Sequence, residues 1–501
     1  MPLRKLLLAV SQYSLGSLFT ALAGFVSFPF LTRIFSVSDY GIMNLISATL
    51  AVLVAVGKLG IQHAVVRFHS GAGTQEEKTP DRKCVVSTAV LGMALTGLIV
   101  GLAWCGFAEL LPPAGLGDRR LRPLLMLIGF LITIQVLDSA LVNLLRAEQR
   151  SATLTSYQVL KKYLGLSLMI SSLLLVRRDL SVFYTAQVMA ELTALLVLGW
   201  VVFRADSGLP RPSLRAFSAP LLTEMLRYGV PMMLGWEVAG IVLMLGDRYL
   251  VQGLLGPSRL GTYVAAYNLC QYVEAVLISP WGLAITPIYV RLFDKDGEEQ
   301  ARAFLNRTLR YYVLVGVPVV GGLSAIGPEL LTFLASDKYR EGAPVIPYVV
   351  AGLVAAGAVP ITGAGVFIQR RTWVAARFVV LSAVLNLGLN ALLIPAMGIE
   401  GAALATLVSY LVLLVGMTRA GARHLCVAMP WNAALRALAA TLVMYATIAS
   451  IHFGGRVVTL GTRIGLGLVI YGMLIVALDK TVRDDLRTFL GVGLPNRGQL
   501  L

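Results

Sequence analysis

Ionisable side chains lie inside long apolar stretches of this sequence, where each is costly to place. Those well inside such stretches are Lys58, Asp138, Lys161, Lys162, Glu191, Glu237 and Glu274, and those nearer the ends are Arg33, Asp247, Arg248 and Arg377. A charge at the centre of a membrane helix costs at least about 2.5–3.5 kcal/mol unless it faces a wet cavity or a partner. We therefore interpret these residues as candidates for function.

The cations have the chemistry of an anion-binding surface. The candidates are Arg33, Lys58, Lys161, Lys162, Arg248 and Arg377. Arginine binds phosphate groups bidentately, and a lysine acts as a point charge. Lys161 and Lys162 are adjacent and point about 100° apart on a helix, so at most one faces a given partner directly. Two other interpretations stay open: the residues near span ends could snorkel to headgroups, and Lys161 or Lys162 could pair with Glu191.

The acids are candidates for coupling to a cation. They are Glu237, Glu274, Glu191 and Asp138. A carboxyl group in a medium of low dielectric binds a proton more tightly than in water, as a proton carrier requires. The coupling ion would be H⁺ or Na⁺. Alternatively, Glu237 and Glu274 could simply be hydrogen-bonded to the backbone or to Asn268.

The composition places the whole chain in a membrane. Of 501 residues, 57% are hydrophobic and 14% are charged, whereas soluble domains carry about 25% charged residues. The net charge of +16 sits mostly in short loops between apolar spans, which argues against nucleic acid as a partner. Four cysteines lie far apart with no CxxC pair, and the histidines are scattered. We expect no metal and no other cofactor.

The elements that must position these side chains are membrane helices of about 20 residues or more. We predict an all-α membrane protein with about 14 transmembrane helices. The predicted spans are 12–34, 41–66, 84–107, 124–147, 152–176, 181–203, 227–250, 260–289, 304–326, 344–369, 373–394, 399–418, 433–453 and 460–478. Prolines near the middle of some of them, such as Pro231 and Pro360, predict kinks.

The loop cations predict the orientation of the chain. Alternate loops carry about 26 Arg and Lys residues on the N-terminal side and about 12 on the other, so both termini should be cytoplasmic. The tail after Asp479 has the pattern of a short amphipathic helix on the cytoplasmic face.

An internal repeat is indicated by two similar turns. An Arg near a helix end, a small loop and a Ser-x-x-Gly element occur at Arg33 to Gly41 and again at Arg248 to Gly261. A six-helix offset would give parallel lobes, which is a known transporter plan. We predict an N-terminal six-helix lobe at 1–203, a C-terminal six-helix lobe at 204–418, and a final helix pair with its tail at 419–501.

The N-terminal region then resembles a known family. Residues 17–68 contain Leu31-Thr32-Arg33, then Asp39-Tyr40-Gly41, then Leu59-Gly60 and Val66-Arg67-Phe68. This pattern is similar to the polysaccharide-synthesis, O-antigen-type flippases of the multidrug/oligosaccharidyl-lipid/polysaccharide exporter superfamily. The turn at 258–263 and the stretch at 398–403 also look like that family.

The resemblance implies a fold, an activity and a location. It implies two lobes around a V-shaped cavity, as in the related multidrug and toxin (MATE) exporters. The implied cargo is an undecaprenyl-pyrophosphate-linked oligosaccharide, moved from the inner to the outer leaflet of the bacterial inner membrane by ion-coupled alternating access. Surface-polysaccharide polymerase and chain-length proteins are possible partners. In this interpretation the cations attract the pyrophosphate.

Polar side chains within the spans have two interpretations. They are Gln135, Asn143, Gln158, Gln187, Gln271, Asn386 and Asn390. They could hydrogen-bond sugar hydroxyls of the cargo, or they could join helices to each other.

Two rival functions remain open. One is a MATE-like exporter of small molecules or drugs, against which the excess of internal cations argues. The other is a membrane glycosyltransferase or polymerase, suggested by Asp294-Lys295-Asp296, a pattern in a charged loop that a solvated face explains better. Glycine-rich pieces match no phosphate-binding loop. We therefore predict a transporter rather than an enzyme.

Overall fold

The structure is a computed structural model that describes residues 19–20, 22–71, 81–110, 121–204, 209–369, 371–451 and 454–489. In these residues every regular element is helical. Residues 12–18 of the first predicted span lie outside the described residues. The prediction of an all-α fold is confirmed.

Eighteen α-helices follow one another along the described chain. They are α1 Leu22–Ile34, α2 Val37–Lys58, α3 Ile61–Gly71, α4 Arg82–Leu110, α5 Leu121–Ala147, α6 Ser151–Leu175, α7 Leu180–Phe203, α8 Ala219–Met232, α9 Ala239–Leu245, α10 Asp247–Leu277, α11 Ser279–Leu334, α12 Ile346–Thr362, α13 Ala364–Ile368, α14 Thr372–Met397, α15 Ile399–Ala422, α16 Trp431–Ala449, α17 Arg456–Leu478 and α18 Lys480–Phe489. Most begin and end within a few residues of the predicted spans.

Twelve helical stretches of the described chain are long and apolar enough to cross a membrane. Two of them, Ala219–Leu277 and Ser279–Leu334, have 59 and 56 residues, more than the 20 or so that one crossing needs. Left-handed glycines interrupt them at Gly256 (φ 84°) and Gly297 (φ 87°). If the pieces on either side of Ile278, which keeps a right-handed helical conformation, are counted as one, three segments result: 219–255, 257–296 and 298–334. Those three, the ten other spans and the shorter α1 make fourteen apolar segments, the number that the sequence predicts.

The second predicted span, 41–66, is wrong as a single helix. Ser36 caps α2, because its Oγ accepts the backbone N–H of Asp39. The helix then stops at Lys58, since Leu59 (φ 47°) and Gly60 (φ 75°) both take left-handed conformations, and α3 begins at Ile61. Such a pair of residues ends a helix and changes its direction. The break lies beside two of the predicted charged positions.

The seventh predicted span changes its winding in the middle. Pro231 lies inside α8 and has no N–H to donate to the preceding turn. The next six residues, Met233–Val238, form a π-helical segment before α9 continues. A π segment widens the helix locally and is found mostly at functional sites. Glu237 lies on this segment.

The described residues form two compact units. Unit 1 comprises residues 1–264 and 376–405, and unit 2 comprises 265–375 and 406–501, each within the described ranges. These units are defined by which residues pack together, whereas the predicted boundaries at 203 and 418 are based on the internal repeat. The division into six-helix lobes and the V-shaped cavity therefore stay predictions.

In unit 2, the last helices are fastened to α11 at two places. Near the end of α11, the buried guanidinium of Arg463 on α17 lies 3.0 Å from Oε1 of Glu329. Near the middle of α11, Arg310 of that helix and Arg436 of α16 both bind the carboxylate of Asp479, which is fully buried. We call these two sets of contacts the α11 clamps. They hold α16 and α17 against α11.

The helix predicted for the tail is confirmed as α18, and unit 2 holds it through specific contacts. Asp485 on α18 binds Arg307 and the hydroxyl of Tyr311 on α11. Arg483 donates to the carbonyl oxygens of Val476 and Ala477 at the end of α17. The helix is thus docked on α11 and α17 by side chains of its own.

Candidate functional site

Two clusters of charged side chains lie in unit 1 among the membrane helices. The first consists of Lys58, Gln62, His63 and Glu237, and we call it the Glu237 cluster. The second consists of Gln135, Asp138, Tyr157, Lys161 and Glu191, and we call it the Asp138 cluster. Each joins a predicted cation to at least one predicted ion-coupling acid.

In the Glu237 cluster, three side chains surround the carboxylate of Glu237. Nζ of Lys58 lies 3.1 Å from Oε1 of Glu237. Nε2 of Gln62 donates to Oε2 at 2.5 Å, and Nε2 of His63 lies 3.6 Å from the same oxygen. The side chains of Lys58 and Glu237 are 19% and 21% exposed, so the pair is mostly enclosed by the protein.

Backbone packing places these residues together. A Cβ atom on Gly60 would meet the backbone of Gly229 at less than 3.0 Å, and a Cβ on Gly229 would meet the backbone of Gly60 in the same way. The break between α2 and α3 therefore packs directly on α8, with no side chain between them. Glu237 follows Gly229 by two turns, across the π segment, and so reaches Lys58 at the end of α2.

The Asp138 cluster surrounds one ammonium group with two carboxylates. Nζ of Lys161 on α6 lies 3.0 Å from Oδ2 of Asp138 on α5 and 2.6 Å from Oε2 of Glu191 on α7. The hydroxyl of Tyr157 donates to Asp138. Gln135 donates to Glu191 at 3.3 Å. Helix periodicity explains the pairing, since Tyr157 and Lys161 share a face of α6, as do Gln135 and Asp138 on α5.

These contacts lower the net charge that two of the predicted cations present to a ligand. Lys58 and Lys161 are neutralised by carboxylates in this conformation, so neither presents a bare charge. Such a pair can exchange partners, because an incoming anion can replace the carboxylate at the ammonium. The released carboxylate would then need a proton or a metal cation, since an isolated charge is costly to leave in a membrane. Both clusters therefore have the chemistry of an anion–cation exchange site.

The other predicted cations make no ion pair within these clusters, although Lys162 lies within electrostatic reach of Glu191. Arg248, at the start of α10, is buried, and its Nη1 lies 3.4 Å from Oδ1 of Asn44 on α2. Lys162, Arg33 and Arg377 have exposed side chains. The prediction that one of Lys161 and Lys162 pairs with Glu191 is thus met by Lys161. Whether any of the six cations binds cargo stays a prediction.

Glu274 differs from the other predicted acids. It lies on the part of α10 that belongs to unit 2, half-buried and near Tyr312 of α11. Within the described residues its carboxylate makes no hydrogen bond or ion pair. The carboxylate of Glu237 contacts three side chains, whereas that of Glu274 has no hydrogen bond or ion pair among the described residues. The two acids are therefore not equivalent.

Several of the polar side chains join atoms of their own helix. Asn386 and Asn390 are fully buried on α14, and Nδ2 of Asn390 donates to the backbone oxygen of Asn386 at 2.8 Å. Asn143 likewise donates to the oxygen of Ser139. Such burial favours a structural role for these three over contact with sugar hydroxyls. Asp294, Lys295 and Asp296 are exposed at the end of a helical segment before Gly297.

Sequence reasoning missed Gln62, His63 and Tyr157. Gln62 follows Lys58 by four residues, so even a regular helix would place these two side chains on one face. His63 would point away from that face, and it comes near Glu237 in the structure, where the chain breaks at Leu59–Gly60. Tyr157 had a usable signal, because it precedes Lys161 by one helical turn.

Family models match most of the chain. A family model described as polysaccharide biosynthesis protein matches residues 7–293, and the model for the lipid II flippase MurJ matches residues 271–471. The chain is 21% identical over 399 residues, 79% of both chains, to a protein of Haloferax volcanii described as a probable low-salt glycan biosynthesis flippase, Agl15.

Solved structures show the fold. The chain is similar to the lipid II flippase MurJ in an inward closed conformation, with a TM-score of 0.76, 13% identity, and 95% and 99% of the two chains covered. It is also similar to an inward-facing multidrug resistance MATE family transporter of the MOP superfamily, with a TM-score of 0.63, 14% identity, and 83% and 97% covered. The predicted MATE-like fold is confirmed.

Proposed function

Because the chain belongs to the polysaccharide biosynthesis protein family, within the MOP superfamily, we propose that it is a flippase for a polyprenyl-pyrophosphate-linked oligosaccharide. The family match and the flippase described in Haloferax volcanii support the activity. The membrane helices and the transporter fold support a multi-pass membrane protein that transports rather than catalyses. We propose that it lies in the inner membrane with both termini in the cytoplasm.

The observation that carries the proposal is the pairing of membrane lysines with carboxylates. A pyrophosphate headgroup carries at least two negative charges across about 30 Å of hydrocarbon. Lys58, held by Glu237, and Lys161, held by Asp138 and Glu191, supply the compensating charge without leaving a bare cation when no cargo is bound. A small apolar substrate needs neither pair.

The transport step follows from an exchange of partners. The pyrophosphate approaches Lys58 from the cytoplasmic leaflet and replaces Glu237 at its ammonium. The freed carboxylate takes a proton or Na⁺, which keeps the local charge balanced. After the cargo leaves in the outer leaflet, Lys58 returns to Glu237 and the cation is released. The direction, from inner to outer leaflet, and the ion coupling are parts of this proposal.

Proteoliposomes test the activity directly. The purified protein is reconstituted with a fluorescent polyprenyl-pyrophosphate glycan, and the labelled lipid accessible at each leaflet is followed with a reagent that cannot cross the bilayer. We expect transfer with the wild type and a loss of about tenfold or more in Lys58→Gln and Lys161→Gln, because each removes a charge-assisted hydrogen bond. Lys295→Gln, an exposed cation, is the matched control. Equal transfer by all four proteins contradicts the proposal.

A drug exporter is the second candidate, favoured by the similarity to a multidrug resistance transporter. The same vesicles distinguish the two. Accumulation of cationic dyes that the glycan lipid does not inhibit would support the exporter. Under the flippase proposal, dyes are not accumulated above the level of protein-free vesicles.

A further inference from the structure

The helix α18 begins directly at the end of a membrane span. α17 ends at Leu478 and α18 starts at Lys480, with Asp479 alone between them. The carboxylate of Asp479 accepts two backbone N–H groups of the first turn of α18 and so caps that helix. Because Arg310 and Arg436 hold the same carboxylate, the start of α18 is fixed to α11 and α16.

The two acids that dock α18 are neutralised by arginines of other helices. Asp479 is paired with Arg310 and Arg436. Asp485 of α18 is paired with Arg307 of α11, whose Nη2 lies 3.3 Å from Oδ1. All of these groups belong to unit 2. The cations of α18 itself therefore have neither of these two acids as a partner.

The cations of α18 lie on one face of the helix. Lys480, Arg483 and Arg487 are spaced by three and four residues, which places them on the same side. Arg483 donates to the last carbonyl oxygens of α17. Lys480 and Arg487 are exposed, and among the described residues neither makes an ion pair. Asp484 lies beside them, so three cations and one acid give this face a formal charge of +2.

An apolar edge separates the docked side of α18 from its cationic face. Val482 packs against a core cluster of unit 2 that includes Ala433 of α16 and Ile475 of α17. Leu486 follows Val482 by one helical turn, and its side chain is 45% exposed. A helix that lies in the plane of a membrane surface has this order, with apolar side chains at the acyl chains and cations at the headgroups.

We propose that the cationic face of α18 binds the headgroups of anionic phospholipids in the leaflet that it faces, and that Lys480 and Arg487 select the negative charge. Lysine and arginine side chains near an anionic bilayer surface are attracted to it, whereas a zwitterionic surface offers no net charge. The exposed Leu486 favours a lipid over a soluble anion, because only a lipid brings acyl chains to that side chain. This inference goes beyond the proposed function and does not depend on it.

Quenching by brominated lipids tests the inference without any cargo. The reporter is a fluorophore on Leu486→Cys, in the full chain with its four native cysteines replaced by alanine. The protein is reconstituted in phosphatidylcholine vesicles that contain a minor fraction of lipid with brominated acyl chains. That lipid is either phosphatidylglycerol or phosphatidylcholine. We expect the brominated phosphatidylglycerol to quench about threefold more strongly, because the unpaired cations concentrate anionic lipid beside the reporter.

A pair of double variants shows which cations are responsible. We expect Lys480→Gln with Arg487→Gln to bring the two quenching strengths to the same value. Arg177→Gln with Arg178→Gln is the matched control, because it removes two exposed cations from the turn between α6 and α7. This control should keep the full preference for phosphatidylglycerol. Equal quenching of the starting protein by the two lipids overturns the proposal, as does a preference that survives the loss of Lys480 and Arg487.

A second reporter guards against a local effect of the first label. Trp431→Cys at the start of α16 carries the same fluorophore, at a side chain that is 68% exposed. We expect the same preference, since Arg436 and Asp479 hold α16 beside the start of α18. Inorganic phosphate, compared with chloride at equal ionic strength, should leave the preference unchanged. A preference that phosphate abolishes assigns the face to a soluble anion and overturns the lipid.

The outcomes separate this lipid site from the proposed function. A protein that prefers phosphatidylglycerol at α18 but transfers no glycan lipid keeps the lipid site and rejects the cargo. A protein that transfers glycan lipid but shows equal quenching keeps the cargo and rejects the lipid site.

Discussion

Nζ of Lys58 lies 3.1 Å from Oε1 of Glu237, a residue 179 positions further along the chain. The two residues occupy the end of α2 and the π segment that follows α8. Lys58 was a candidate for binding the cargo, and Glu237 was a candidate for binding the coupling ion. Because the two groups bind each other, each task competes with their ion pair.

The first prediction concerns this pair. We expect Lys58→Gln and Glu237→Gln each to slow lipid transfer, and the double variant to be no slower than the worse single one. The reason is that residues in one ion pair act together, with interaction energies of about 0.5–3 kcal/mol. The measurement is a double-mutant cycle on transfer rates in proteoliposomes. Additive losses would mean that Lys58 and Glu237 act independently.

The second prediction concerns Lys161 and its neighbour. Lys161→Met leaves Asp138 and Glu191 facing each other without a cation, so we expect a loss of stability of about 3 kcal/mol, as for other broken buried pairs. Lys162→Met is the comparison: this exposed side chain is within electrostatic reach of Glu191 but makes no ion pair with it, so its loss should change stability by less than about 1 kcal/mol. Thermal unfolding in detergent measures both. Similar losses in the two variants would contradict the Asp138 cluster.

The third prediction concerns the break between α2 and α3. Gly60→Ala meets both a left-handed conformation and the backbone of Gly229, so we expect a loss of about 1–3 kcal/mol and weaker pairing of Lys58 with Glu237. Gly240→Ala on α9 has open space around the new atom and should be neutral or slightly stabilising. If thermal unfolding places both variants at the wild-type midpoint, the close contact of Gly60 with Gly229 is wrong.

The fourth prediction concerns pH and Asp479, between α17 and α18. Burial raises the pKa of this carboxyl, but the backbone N–H of Val482 and the guanidinium groups of Arg310 and Arg436 outweigh that effect and hold the pKa below its usual value. A depressed folded-state pKa stabilises the protein above the unfolded value of about 3.9, and the benefit is lost as the pH falls through the folded-state value.

The test of this prediction is thermal unfolding of the detergent-solubilised protein as a function of pH. We expect Asp479→Asn to lower the midpoint near neutral pH and to flatten the fall in stability below about pH 4. Asp337→Asn, which removes the partner of exposed Arg456, is the control and should change little. If the Asp479→Asn protein has the wild-type midpoint at neutral pH and the wild-type loss of stability at acid pH, this carboxyl does not stabilise the fold.

Much of the fold could be predicted because a membrane crossing leaves a local signal. Runs of about 20 apolar residues marked nearly every span, and Pro231 marked the change of winding before Glu237. The break at Leu59 and Gly60 could not be predicted in this way. The apolar pattern continues across it, and the contact that accompanies it is with Gly229 on a distant helix.

The site could be predicted in its parts and in one contact, the pairing of Lys161 with Glu191, but not in its other pairings. Charges inside apolar spans identified Lys58, Asp138, Lys161, Glu191 and Glu237. Which cation meets which acid depends on the order of helices in space, and a single sequence carries no signal for that order. The roles assigned to the six cations and four acids stay predictions. So do the coupling ion and the division into repeats.

The α11 clamps have a consequence for biogenesis. Arg310 leaves the ribosome 169 residues before Asp479, its partner in one of the clamps. During that interval Glu329 and Arg310 of α11 lack the counter-charges that Arg463 on α17 and Asp479 after it supply. A nascent chain that stops before Arg456 keeps both groups without these partners. The final helices therefore complete the ion pairs of α11 as well as extend the chain.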